Sequence, residues 1–220
     1  MQEKKIATGW EFFCLALYAF GGLGLELVLA SGIEPLLYGG PMKQWNTWQN
    51  ILHWILTCAV WTVVAIWIYH QAKKDYGFDL FEKAGTMKAW QWGAVIATMV
   101  FTLAMSYWDW NGSKVIHEWK ANGPLKFVFQ YVYYLFETML FLLIIVFGQK
   151  ALERWFKREN VPYGGIVVAL TWGIVHIATK GSVSIGLLSA VSGFLFGVVY
   201  LLVNRDIKKA YVLLVFMFVL

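Results

Sequence analysis

The chain has 220 residues, of which 60% are hydrophobic and 14% charged, with a formal net charge of +5. Soluble domains carry roughly 25% charged residues, and here the apolar excess falls in blocks of about 20 residues, the length an α-helix needs to cross roughly 30 Å of hydrocarbon. A soluble enzyme and a soluble nucleic-acid binder are therefore excluded, and the basic excess of a polytopic protein belongs to its loops, where it reports orientation.

The expected fold is all-α: a polytopic membrane bundle of six to seven transmembrane helices in one integral membrane domain, residues 1–220. The first block, Trp10–Ala30, follows Lys4 and Lys5 as a signal peptide would. Its apolar region is longer than a signal core and contains Glu26, so a retained span is expected. Ile51–His70, Ala89–Trp108, Pro124–Gly148, Val161–Thr179 and Gly181–Val203 are the next five. Ala210–Leu220 is too short to cross alone at about 1.5 Å per residue and reads as half a span or a truncated one. These segments are too long and too apolar for barrel strands. The loop Gln71–Lys88 has mixed charge, and no internal repeat, low-complexity segment or soluble domain is visible.

Lysine and arginine set the expected orientation. With the N-terminus cytoplasmic, thirteen of the eighteen lie inside, Lys4, Lys5 and Lys83 among them. Lys43, Lys114, Lys120, Lys126 and Lys180 lie outside. That asymmetry favours an inside N-terminus. Tryptophans such as Trp45, Trp90, Trp108 and Trp155 fall near span ends, where their rings prefer the headgroup zone. A multi-pass protein of the cell membrane is expected, with the lipid bilayer as its first partner. Cys14 and Cys58 lie within apolar runs and offer neither a disulfide framework nor a zinc site.

Ionisable residues inside a span are functional candidates by default. Four stand out: Glu26, His53, Glu137 and His176. Glu137 lies in YVYYLFETMLFLLIIVFG, where a bare carboxylate costs at least a few kcal/mol by insertion scales; the bland alternative is a neutral glutamate bonded to a neighbouring helix. His176 is either a satisfied core histidine or a pocket residue. Trp172, four residues earlier, shares its face and would wall the same pocket. Glu26 and His53 fall toward the outer ends of their spans, where an interfacial role is the simpler reading. With His176 they could supply three metal ligands, but no two sit at i, i+4, and no metal is expected. Ser189, Gly193 and Gly197 repeat every four residues, a spacing that suits close helix packing.

The order Glu137, then Trp172-x-x-x-His176, then a glycine-bearing span resembles the CAAX-protease and bacteriocin-processing family of intramembrane proteins. In that family a Glu-Glu-x-x-x-Arg motif precedes an aromatic-x-x-x-His motif by roughly forty residues. A glycine-bearing helix and a His-x-x-x-Asn motif follow. The resemblance covers residues 124–220 and leaves 1–123 as variable spans. It implies an intramembrane endopeptidase without a cofactor, in which Glu137 activates water and His176 assists. Trp172, Phe141 and Gln130 would line its pocket. The sequence departs from the pattern at Phe136, in place of a second glutamate, and at Phe141, in place of arginine. The tail KKAYVLLVFMFVL carries neither histidine nor asparagine. Three readings stay open: a peptidase, a non-catalytic protein that holds a membrane-embedded peptide or protein, and a small transporter. The last has few polar groups along a path and no repeat to support it. If both spans are straight, Glu137 lies about 10–15 Å deeper than His176.

Overall fold

The computed structural model describes residues 7–82 and 84–220; Lys4, Lys5 and Lys83 of the charge asymmetry lie outside them. All regular secondary structure among the described residues is helical. Six helices are long and apolar enough to cross a membrane: α1 Gly9–Tyr38, α2 Thr47–Tyr76, α3 Ala89–Asp109, α4 Lys114–Phe156, α5 Tyr163–Lys180 and α6 Val183–Leu202. A seventh, α7 Ile207–Val219, has 13 residues, or about 20 Å of rise. The chain is an integral, multi-pass membrane protein.

Local chemistry sets the ends of these helices. Thr8 and Glu11 form a capping box at the start of α1, and Asn46 and Gln49 form another at the start of α2. Each box satisfies two orphan N–H groups of a first turn. α2 stops at Gly77, which takes the left-handed conformation with φ 63°.

α4 is the central helix and packs against α1, α2, α5 and α7. Its residues from Leu140 to Gln149 are all buried, as expected of a helix apolar all round. It differs from the expected span at both ends. It runs on past Gly148 to Phe156. At its start, Gly123 (φ 69°, ψ 172°) breaks the helix just before Pro124, a residue suited to a first turn. The expected outer loop is therefore a short helix laid back on α4. Asn122 donates to Gln130 at 2.5 Å, Tyr134 to Glu118 at 2.5 Å, and the rings of Trp119 and Phe127 meet.

Hydrogen bonds gather one end of the bundle. Arg154 donates to the Ala7 carbonyl at 2.5 Å, and Arg205 pairs with Glu153 at 2.7 Å. Gln91 donates to the Leu202 carbonyl at 2.7 Å, and Asn204 to that of Thr86 at 3.1 Å. The start of α1, the end of α4, the start of α3 and the end of α6 thus share one end.

α5 and α6 form a tight antiparallel pair. A Cβ at Gly165 would lie 2.5 Å from the Phe194 carbonyl oxygen, and one at Gly173 would lie 2.5 Å from the Ala190 Cα. The stripe on α6 that meets α5 is Gly186, Ala190, Gly193 and Gly197, which lets the backbones approach closely. Gly193 and Gly197 take the packing role expected of them. Ser189 instead lines a cavity shared with α3.

Candidate functional site

The register between α4 and α5 is set by Gln149. Its Oε1 accepts the Gly164 N–H at 2.9 Å, and its Nε2 donates to the Val161 carbonyl at 2.9 Å. From this joint, Glu137 is twelve residues back along α4 and His176 twelve residues on along α5. At about 1.5 Å per residue both stand roughly 18 Å from it. The expected depth gap is therefore closed. It arose from levelling the outer ends of the two spans, whereas α4 runs twenty-five residues outward from the joint to Pro124 and α5 only sixteen to Lys180.

A π-helical turn, Ala169–Gly173, interrupts α5 and carries Trp172. Such turns shift side chains off the regular helical face and recur at functional sites. Here the indole Nε1 of Trp172 donates to the Glu137 carboxylate at 2.9 Å. One turn on, His176 Nδ1 lies 2.7 Å from the Trp172 carbonyl oxygen. That oxygen only accepts, so Nδ1 carries the proton and Nε2 of the neutral ring is left as an acceptor. The imidazole and indole centroids are 4.6 Å apart, edge to face. Glu137 and His176 are thus brought together through Trp172. Among the described residues the indole is the one hydrogen-bond donor to Glu137, and the second carboxylate oxygen is free to accept.

The walls are aromatic. Phe141 is fully buried, with ring centroids 5.2 Å from Trp172, 5.2 Å from Phe196 and 5.4 Å from Phe218. Gln130 does not join this pocket. It is seven residues from Glu137, about 10 Å along the helix, and it bonds Asn122, Glu118 and Tyr134. The outer part of α5, Ile174–Lys180, packs on α6. Glu137 and His176 are both half-buried.

A second polar line reaches the same level. Glu34 and His53 are both 0% exposed, and Glu34 Oε2 lies 2.6 Å from His53 Nδ1. On the other side of the ring, Nε2 faces Glu26 at 3.5 Å. Tyr133 then donates to Glu26 at 2.8 Å, one turn before Glu137. Counted from the bonded pair Ala7 and Arg154, Glu26 is nineteen residues up α1 and Glu137 seventeen up α4, a difference of about 3 Å. His53 is therefore buried inside the bundle, between Glu26 and Glu34. Glu26 and Glu34 take opposite nitrogens of one ring, so the three do not converge on a point. No group of three His, Cys, Asp or Glu among the described residues is placed to hold a metal.

Glu34 and Tyr133 were not foreseen as site residues. The signal for Glu34 lay in SGIEPLLY, where apolar residues continue past Ala30. There α1 runs through a second π-helical turn, Leu29–Ile33. The known proteins add nothing to this geometry: no family model, no curated protein and no solved structure matches the chain.

Chemically, the Glu137 and His176 side chains offer two acceptors, a carboxylate oxygen and an imidazole nitrogen, on either side of the Trp172 ring. They suit an N–H or O–H donor. A tetrahedral intermediate needs donors aimed at its oxyanion, and the loss of one such donor costs about 10²–10³ in rate. Phenylalanine rings supply none.

Proposed function

We propose that this chain is a non-hydrolytic relative of the CAAX-type intramembrane glutamate peptidases. It holds a membrane-embedded peptide, or a segment of another protein of the cell membrane, at the Glu137–His176 cleft. The helix order and the glutamate–tryptophan–histidine contact support kinship with that family. The observation that carries the loss of chemistry is the packing of Phe141 against Phe218 and Trp172. Phe141 stands where the family pattern has arginine, and Phe218 of α7 closes the wall beside it.

The test uses defined single-span peptides, with and without a prenylated C-terminal cysteine, mixed with the full chain in lipid nanodiscs. Mass spectrometry is expected to find no cleavage that depends on Glu137. Binding of the same peptides, read by fluorescence anisotropy, is expected to weaken about tenfold or more in Glu137→Gln and His176→Ala, as loss of a charge-assisted hydrogen bond implies. Cleavage that disappears in Glu137→Gln would overturn the reading in favour of a working peptidase. Binding that ignores both substitutions would remove the cleft from the account.

A further inference from the structure

Lys114 poses a problem that the Glu137 cleft does not solve. It opens α4 and is only 7% exposed. Its ammonium donates to the Phe218 carbonyl at 2.6 Å and sits 4.6 Å from the ring centroids of Tyr134 and Phe218. It makes no ion pair with any described residue. Glu118, one turn along the same helix, spends one oxygen on Tyr134 and Gln130, and its other oxygen is buried with no hydrogen-bond partner among the described residues. Glu118 and Glu137 attract the Lys114 charge through space without touching it. An ammonium has three donors, and two remain. A buried charge normally has a partner.

Lys114 lines a cavity of about 110 Å³ between α3, α5, α6 and α7. One water needs roughly 10–15 Å³ on such a measure, so the space holds a larger group. Ser106, Ser189 and Ser192 also line it, and their hydroxyls make no hydrogen bond to any described residue. Thr102 adds a hydroxyl that already donates to Thr98 at 3.0 Å. Asp109 and Trp110 stand at the exposed rim. A cavity with two free ammonium donors and three free hydroxyls is complementary to an oxyanion. The rim carboxylate of Asp109 disfavours a multiply charged ion and suits one with a single charge, or one that carries a cationic group outward.

We propose that this cavity binds a singly charged oxyanion, with Lys114 as its counter-ion and Ser189 and Ser192 as hydrogen-bond donors. The chemistry is that of the phosphodiester in a membrane lipid headgroup or of a small free phosphate. The site adjoins the Glu137 site: Trp172, Phe196 and Phe218 stand in the walls of both, and the charges of Lys114 and Glu137 act on each other through space.

The experiment measures thermal unfolding of the full chain in detergent, titrated with inorganic phosphate and, separately, with a short-chain phosphatidylglycerol. A ligand that binds the folded state raises the melting temperature. The wild type is expected to be stabilised, with the half-saturating concentration at least about tenfold higher in Lys114→Met and in Ser189→Ala/Ser192→Ala. Stabilisation by phosphate alone assigns the site to a free anion. Stabilisation by the lipid and not by phosphate assigns it to a headgroup. Should Lys114→Met fail to fold, the double serine variant decides, because it keeps Lys114 and its Phe218 contact. Absence of stabilisation in the wild type, or equal stabilisation in the double serine variant, overturns the proposal.

Discussion

At the scale of single residues, the chain spends a tryptophan to keep a carboxylate at membrane depth. Trp172 donates to Glu137 and accepts from His176, so one side chain with its own carbonyl serves both polar groups. Trp172→Phe keeps most of the ring and removes the donor. It is expected to cost about 1.5–3 kcal/mol, the worth of a hydrogen bond to a charged acceptor. In the Trp172→Phe background Glu137→Leu should then cost less than in the wild type, by about 1 kcal/mol or more. A double-mutant cycle read by unfolding in detergent measures this coupling, and strictly additive losses would show that the bond contributes nothing. Glu137, Trp172 and His176 were legible because ionisable groups stand out against an apolar background. Lys114 was not, because a lysine beside a span end reads as a loop charge until the fold lays its helix back on α4. Gln130 was misplaced for a related reason: spacing along a helix gives a face, but not which neighbour occupies it.

At the scale of elements, the sequence showed which segments cross and missed where they stop. Hydropathy marks the apolar stretch, whereas α1 and α4 extend beyond it through turns whose partners lie on other helices. Glu34 continues α1 because His53 of α2 meets it, and no local pattern announces that. The break at Gly123 and Pro124 was visible as residue types, yet the fold-back also needs Glu118 and Tyr134 to meet. α7 offers a test at this scale. Asp206 caps it, accepting the N–H groups of Lys208 and Lys209 at 3.0 Å each and the Lys209 ammonium at 2.7 Å. Burial alone would raise this carboxyl, but those hydrogen bonds outweigh burial and hold it below the ordinary carboxylate range. A depressed carboxyl stabilises the fold above its unfolded value, about 3.9, and loses that effect as pH falls through the folded value. Asp206→Ala is therefore expected to cost about 0.5–2 kcal/mol at neutral pH. The gap to the wild type should narrow as pH drops below about 4. Melting curves across that range measure it, and a constant gap would mean that the charge of the cap plays no part.

At the scale of the whole molecule, the question is which side of the membrane the cleft serves. The contacts from Arg154 to Ala7 and from Asn204 to Thr86 put the start of α1 and the end of α6 at one end of the bundle, as an even number of crossings requires. That end also collects Lys150, Lys157, Arg158, Lys208 and Lys209, so the excess of positive charge points it toward the cytoplasm. Glu137 and His176 stand about 18 Å above the Gln149 joint, beyond the middle of a hydrocarbon layer roughly 30 Å thick. The cleft then belongs to the outer half of the bilayer, and an occupant would enter from that leaflet. Cysteine labelling checks the premise. In a background with Cys14 and Cys58 replaced by alanine, Lys120→Cys and Arg158→Cys place single thiols at exposed positions on opposite ends. An impermeant maleimide on intact cells should label the first, and the second only after permeabilisation. The reverse pattern would turn the bundle over and put the acceptor pair in the cytoplasmic leaflet. Peptides synthesised in the cell would then reach it without crossing the membrane, and the same residues would serve a different set of partners.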